Sequence, residues 1–379
     1  MKSIIKKFRQ KINLALHNTI IGDKLWYENK NNWEPPVLLC MRDLLKQGDV
    51  FFDVGANMGG LTTAASRLVG PKGIVCSFEA SARIMKMLHN NIFRQNLNNI
   101  TLNHRAVYTN SETDIKIFHG SHLNDSLYPE SNEFTKYDMI KSISLDDYCN
   151  STGLIPNLIK MDIEGAEFDA LIGFQNNLKK HKPSLILEQT TNDSRCLDFL
   201  KKLNYVAFDL NTYKQINSFT DFPERSVIRN ILYIDENKLK DTPYCNISNP
   251  FENLRHTINN TDFIKNNKFN ILSNKFILHK GRYILDINLS ATGLNNNLLC
   301  GVREYTSKSN LFEVNGYSKL ISDSYREWVI EIHKETTLEV FFQFLDNTFD
   351  ETFEISKLEI KIYEIPNFHI NSSSYLFLD

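Results

Sequence analysis

Proline and glycine are scarce, ten and fifteen in 379 residues, too few for a collagen-like or low-complexity chain. Cysteine is sparse as well. The six (Cys40, Cys76, Cys149, Cys196, Cys245 and Cys300) are scattered, with no Cys-x-x-Cys pair, which removes the common zinc and dithiol frameworks and points to reduced thiols. Cys40 and Cys76 fall in apolar patterns and read as small buried hydrophobes. Neither sign of charge dominates: the net charge is −2, so there is no basic field for nucleic acid, and none is expected as a partner. No apolar run approaches the length of a bilayer span. The basic start, Lys2 to Lys11, does not lead into the apolar segment and cleavage site of a signal peptide. The expectation is a cytoplasmic protein.

Within that start, Ile4, Ile5, Phe8, Ile12 and Leu14 recur at helical spacing among Lys6, Lys7, Arg9 and Lys11. This predicts a short amphipathic helix. Packed on the protein, it would turn a solvated basic face outward; on a membrane, it would give peripheral contact with the inner face.

What is present is ordinary globular composition, 42% hydrophobic and 23% charged, in a chain long enough for two domains. The most informative stretch is Val50-Phe-Phe-Asp53-Val-Gly55-Ala56-Asn57-Met58-Gly59-Gly60. An apolar run suits a buried parallel strand, and the small residues lead into a helix over Leu61–Leu68. Glycines at such a junction let the backbone bend and approach a ligand, while the helix start offers N–H groups. An acid closing the strand opposes a pyrophosphate, which argues against a nicotinamide enzyme. It suits a cation such as S-adenosylmethionine. Gly73–Phe78 is a second strand ending in Glu79, where dinucleotide-type folds grip ribose hydroxyls. Ala82–Leu97 follows as a helix.

Four segments carry a resemblance: Asp53-Val-Gly-Ala-Asn-Met-Gly, Phe78-Glu79, Ser142-Ile-Ser-Leu-Asp-Asp147, and Leu158-Ile-Lys-Met-Asp-Ile-Glu-Gly-Ala-Glu167. In this order, over about residues 35–235, the chain resembles the FkbM family of methyltransferases. The resemblance implies a class I S-adenosylmethionine-dependent O-methyltransferase. Its acceptor would be a hydroxyl, most often on a glycan or secondary metabolite. By position, Asp53, Gly55, Asn57 and Gly59 match the family's cofactor loop and Glu79 its ribose-binding acid. Ala56 and Ala80 adjoin these positions. Ala106, with Val107 at the end of a third strand, is placed where the adenine would lie. Met58 and the doubled Gly59-Gly60 are small departures.

The expected fold is α/β: a Rossmann-like seven-stranded sheet with helices on both faces, on strands 50–54, 73–78, 100–107, 158–162, 184–189, 205–209 and 227–234. A helical lead-in occupies 1–34, and Pro35 and Pro36 open a helix over Val37–Lys46. The interval 108–157 breaks the alternation with hairpin strands at Asp114–Phe118 and Lys141–Leu145. The polar, aromatic loop Ser121–Tyr137 between them reads as part of an acceptor-site cover. The methyltransferase domain is expected over 35–240 and a connection over 241–270. From 271 to 379 short alternating strands predict an all-β sandwich. Their pattern loosely resembles a jelly-roll carbohydrate-binding module, and an oligomerisation domain is the equal alternative.

Methyl transfer to an alcohol needs the acceptor held in line and a base for its proton. Asp162 at the end of the fourth strand, Glu164 two residues on, and Glu188 at the end of the fifth are the candidates. A divalent ion on Asp162 and Glu188 is a second reading, not favoured because no third ligand is apparent. For Glu164, and more strongly for Glu167, helix capping is the structural alternative. His104 suits a surface role, and His119 and His122 flank Gly120 without ligand spacing. The expected acceptor is a glycan or a nucleotide- or lipid-linked sugar. The competing readings are a small metabolite acceptor and a non-catalytic scaffold on a vestigial fold. A homo-oligomer fits any of these.

Overall fold

The computed structural model describes residues 34–120, 125–128, 136–190, 192–221, 228–247, 250–259, 263–267, 270–273, 275–292, 298–306, 310–316, 324–332, 334–344 and 354–365. The basic amphipathic helix, His122 and most of the Ser121–Tyr137 loop lie outside these residues.

The chain enters through α1 (Pro35–Leu44), with proline at its first positions, where a missing N–H costs nothing. Val37, Cys40, Met41 and Leu45 recur at helical spacing and are all buried. Then come β1 (Val50–Val54), α2 (Gly60–Val69), β2 (Ile74–Phe78), α3 (Ala82–Arg94) and β3 (Ile100–Asn103). Ser81 caps α3 by accepting from the Ile84 amide. A short β4 (Ala106–Val107), β5 (Asp114–Phe118), β6 (Tyr137–Ile143) and α4 (Leu145–Thr152) follow. The chain then forms β7 (Leu158–Met161), α5 (Glu167–Ile172), α6 (Gln175–His181), β8 (Ser184–Thr190) and α7 (Arg195–Lys202). It closes the sheet with β9 (Tyr205–Asp209), β10 (Gln215–Ile216) and β11 (Ile228–Asp235).

The main sheet runs β10-β9-β11-β8-β7-β1-β2-β3. Its β3-β2-β1-β7-β8 part is parallel, and β11 runs antiparallel between β8 and β9. Eight strands stand where seven were expected, because the turn after β9 folds back as β10 and pairs with it. The strand read as 100–107 is also divided. β3 pairs with β2 only to Asn103, opposite Phe78, where β2 ends. Without a partner the chain turns, and Ala106 and Val107 pair instead with Ser142 and Ile143 of β6, in a small sheet ordered β4-β6-β5. Ala106 therefore lies beyond the end of the third strand. β1, β7 and β8 are central and read as near-continuous apolar runs, as strands buried on both faces do.

Beyond the main sheet the chain is strand-rich: β12 (Leu254–Asn259), β13 (Phe263–Asn267), β14 (Asn270–Ser273), β15 (Phe276–Leu278) and β16 (Gly281–Thr292). β17 (Leu298–Glu304), β18 (Asn310–Gly316), β19 (Ser324–Ile332), β20 (Thr336–Phe344) and β21 (Glu354–Glu364) complete it. They form two antiparallel sheets, β12-β21-β16-β19 and β13-β14-β20-β17-β18, between which the chain passes back and forth. Part of the stretch read as a connection is thus strand: β12 pairs with β21 and β13 with β14. The β12 pairing joins residues some hundred positions apart, which local pattern cannot announce.

The first of these sheets packs on the main sheet through α1. Ile284, Val329 and Tyr363 share one apolar cluster with Val37, Met41, Phe208 and Leu232. At its centre Arg282, fully buried, donates to Asp43, Glu331 and the Tyr213 hydroxyl. Cys40, Cys76, Cys149 and Cys196 are buried free thiols and Cys245 an exposed one. Among the described residues no helix is long and apolar enough to cross a membrane.

Candidate active site

An open cleft lies at the carboxyl ends of β1, β2 and β7, where open α/β sheets take their ligands. It is built by two turns that touch. At Gly55 (φ +84°) a Cβ would lie 1.8 Å from the Asp162 carbonyl oxygen. Only glycine lets the turn after β1 close on the turn after β7. The same turn is tied to β2: the Gly55 and Ala56 amides both donate to the Phe78 carbonyl, at 3.0 Å each. The Asn57 amide donates to Glu79 Oε2 at 3.0 Å. The first N–H groups of this turn, expected to face a ligand, are thus used to fix its shape. Gly59, at φ +89°, is the N-cap of α2, and a Cβ there would meet Leu88 at 2.5 Å.

Asp53 is buried, and its Oδ2 accepts from Thr62 Oγ1 at 2.5 Å. Burial raises its pKa to about 6 against the help of Thr62. Glu79, also buried, accepts the Asn57 amide on one oxygen and the Ser81 amide, at 2.8 Å, on the other. Burial raises its pKa to about 7. Each oxygen keeps a lone pair for a ribose hydroxyl. Ala80 and Ala106 also line the cleft. Together, the acid, the close glycine turn and the apolar wall of Ile84, Val107 and Ile117 fit an adenosyl group with a cationic tail.

Of the proposed proton acceptors, Asp162 and Glu164 line the cleft and Glu188 does not. Asp162 follows β7 directly, its side chain 28% exposed. Glu188 sits within β8 rather than at its end, and its carboxyl hydrogen-bonds Asp162 from behind the cleft. Burial first, and the Asp162 charge second, raise the Glu188 pKa to about 9. The arrangement makes Glu188 a proton-bearing partner of Asp162 at neutral pH. Glu164 is exposed at the rim with a left-handed backbone (φ 55°), and its carbonyl accepts from Ser126 Oγ. Glu167 does not cap α5, whose N-cap Ala166 has no side-chain cap; its Oε1 instead accepts the amides of Ile163 (2.9 Å) and Gly165 (3.4 Å) and fixes the turn that leads into the helix. His104 is exposed, its Nε2 3.1 Å from the Ala80 carbonyl. His119 Nε2 lies 3.0 Å from Asp138 Oδ2.

Four further residues belong to the cleft: Glu34, Lys160, Asp125 and Leu127. Lys160 carried a visible signal, a charge inside an apolar strand. Glu34 adds the third carboxylate that sequence did not offer: oxygens of Glu34, Asp162 and Glu188 lie within 4.8 Å of one another. Asp125 is fixed by Arg83 and by the Gly120 amide at 2.9 Å. Nothing local in the sequence marked Glu34 or Asp125, because both reach the site from distant segments.

Several solved structures resemble the chain. An FkbM methyltransferase from Methylobacillus flagellatus is 20% identical over 54% of this chain, with a TM-score of 0.36. This chain spans 47%, about half, of that one's length. An S-adenosylmethionine-dependent O-methyltransferase from Thermotoga maritima is 13% identical, covering 52% of this chain and 64% of its own, with a TM-score of 0.31. Aeropyrum pernix fibrillarin, solved with S-adenosylmethionine bound, is 12% identical, covering 56% and 73%, with a TM-score of 0.30. No curated protein matches the chain. A family model also matches: residues 53–207, from Asp53 inside β1 into β9, match the Methyltransferase FkbM domain.

Proposed function

We propose that the protein is an S-adenosylmethionine-dependent O-methyltransferase whose acceptor is a hydroxyl of a sugar, on a glycan or a nucleotide- or lipid-linked saccharide. The observation that carries the transfer reading is the contact between the Gly55 turn and Asp162. It brings the Gly55 turn and the Asp162 carboxylate onto two walls of one cleft, which supports reading them as cofactor loop and base. S-adenosylmethionine supplies a methyl group that is already activated, so the protein's task is placement, water exclusion and proton removal. Glu79 holds the ribose diol through its spare lone pairs. Asp53, behind the turn, adds negative charge suited to the cationic tail. Asp162 takes the acceptor hydroxyl proton as the new C–O bond forms, with Glu188 hydrogen-bonded to it from behind.

A sugar acceptor is supported by one exposed aromatic, Tyr128, whose chain neighbour Leu127 lines the cleft. Tyr128 is 47% exposed, donates to Asp169 Oδ2 at 3.0 Å, and its ring lies beside Gly165. Aromatic faces next to hydrogen-bonding groups suit the apolar face and hydroxyls of a pyranose. The β-rich region, read as a jelly-roll sandwich, would extend that recognition.

The deciding test is calorimetric titration of the wild type with S-adenosylhomocysteine, with Asp53→Ala and Glu79→Ala alongside. Binding lost in both variants supports the reading and opens an acceptor screen with labelled cofactor. A folded wild type that does not bind moves the weight to a scaffold.

A further inference from the structure

Lys160 stands on β7 in register with Asp53 of β1 and is 1% exposed. Its Nζ lies 3.4 Å from Asp162 Oδ2 and 3.9 Å from Glu34 Oε2, and neither Nζ nor that Glu34 oxygen makes a hydrogen bond. Around it, Glu34, Asp162 and Glu188 bring carboxylate oxygens within 4.8 Å of one another. Each acid comes from a different element: Glu34 precedes α1, Asp162 follows β7, and Glu188 lies on β8. With Glu188 hydrogen-bonded to Asp162, the Asp162 and Glu34 carboxylates hold negative charge out of full contact with water, which is costly unless a cation sits among them.

We propose that the Lys160 ammonium is that cation, a built-in counter-charge that fills the place a divalent ion would take and makes Lys160 the positioning residue for Asp162. Geometry carries this. A lysine stem rising from a central strand delivers one fixed charge to the floor of the cleft and cannot diffuse away. Its reach ends at Asp162 and Glu34, the two acids nearest the opening. Burial works against the ammonium, yet the surrounding carboxylates, Asp162 and Glu34 foremost, outweigh it and raise its pKa, so the charge is retained. A divalent ion in the same cluster would sit against that ammonium, and like charges at such range exclude one another.

The inference rests on the methyl-transfer reading only for its role toward Asp162; the charge arrangement stands apart from it. The test is calorimetric titration of wild type, Lys160→Met and Lys160→Arg with manganese chloride, and separately with S-adenosylhomocysteine. Wild type and Lys160→Arg are expected to show no saturable manganese binding. Lys160→Met is expected to gain saturable manganese binding, at an affinity about tenfold or more above the wild-type detection limit, and to lose it on adding Asp162→Asn. Two results overturn the proposal: saturable manganese binding by wild type that Asp162→Asn removes, or a folded Lys160→Met with no gain. Should Lys160→Met not fold, the wild-type and Lys160→Arg titrations decide on their own: absence of binding in both upholds the proposal, and saturable binding by wild type that Asp162→Asn removes overturns it. Failure of the wild type to bind S-adenosylhomocysteine would tell against methyl transfer and leave the manganese result to stand separately.

Discussion

Arg282 holds Asp43 with both ends of its guanidinium: Nη1 donates to Oδ2 at 2.6 Å and Nη2 to Oδ1 at 3.0 Å. One residue belongs to β16 and the other to α1, 239 positions apart. Glu331, which also pairs with Arg42, and the Tyr213 hydroxyl complete the buried set. Removing the arginine leaves the buried Asp43 and Glu331 carboxylates to share Arg42 as counter-charge. Arg282→Met should therefore cost about 3–5 kcal/mol of stability. Urea unfolding of both proteins measures it, and a loss under about 1 kcal/mol would mean the interface does not hold the two parts together.

Gly55→Ala should remove S-adenosylhomocysteine binding and lower stability by more than about 2 kcal/mol. The reason is double: a positive φ, and a Cβ position 1.8 Å from the Asp162 carbonyl oxygen. Calorimetry and thermal melting together check it. Normal binding by the variant would show that the two turns need not touch.

Thr62→Val tests the buried Asp53. The hydroxyl bonds Asp53 and lies 2.9 Å from Ser77 Oγ. Without it the carboxylate loses its donor, at a cost of about 1–3 kcal/mol when ionised. The loss should be larger at pH 8 than at pH 5, because a protonated Asp53 needs the donor less. A pH-independent loss would assign the threonine to packing alone.

Burial raises Glu79 from 4.5 to about 7 and Asp53 from 3.8 to about 6. A raised carboxyl pKa means the folded state binds more protons than the unfolded one between the two values. Stability from these groups is full below pH about 4 and is lost as pH rises through 6 to 7. In the proposed binding mode ribose hydroxyls would donate to the ionised Glu79, so cofactor affinity should move the other way. Without cofactor, the melting temperature should fall between pH 5 and 8. Over the same range S-adenosylhomocysteine should bind about tenfold or more tightly. Affinity flat across it would separate Glu79 from the ribose.

The motif around Asp53 and the Asp162–Glu167 segment were legible because they are local. An apolar run, a glycine needing positive φ and an acid opening a helix are contiguous in the chain, and each has a physical signature within a few residues. The limits of β3 were not legible, because the strand stops where its partner β2 stops. Glu188 looked like a strand-end base, yet β8 continues to Thr190 and the carboxyl sits behind Asp162.

The sequence by itself determined the doubly wound sheet, the cofactor-type turn and the β-rich character of the C-terminal third, since hydrophobic period and turn chemistry are properties of short segments. Tertiary structure alone decided which charges meet. Glu34, Lys160 and Asp162 converge, as do Asp43, Arg282 and Glu331, because sheet register and the packing of α1 bring remote segments to within hydrogen-bonding and ion-pairing range. Register and packing follow from the burial of the whole core, which no local window contains.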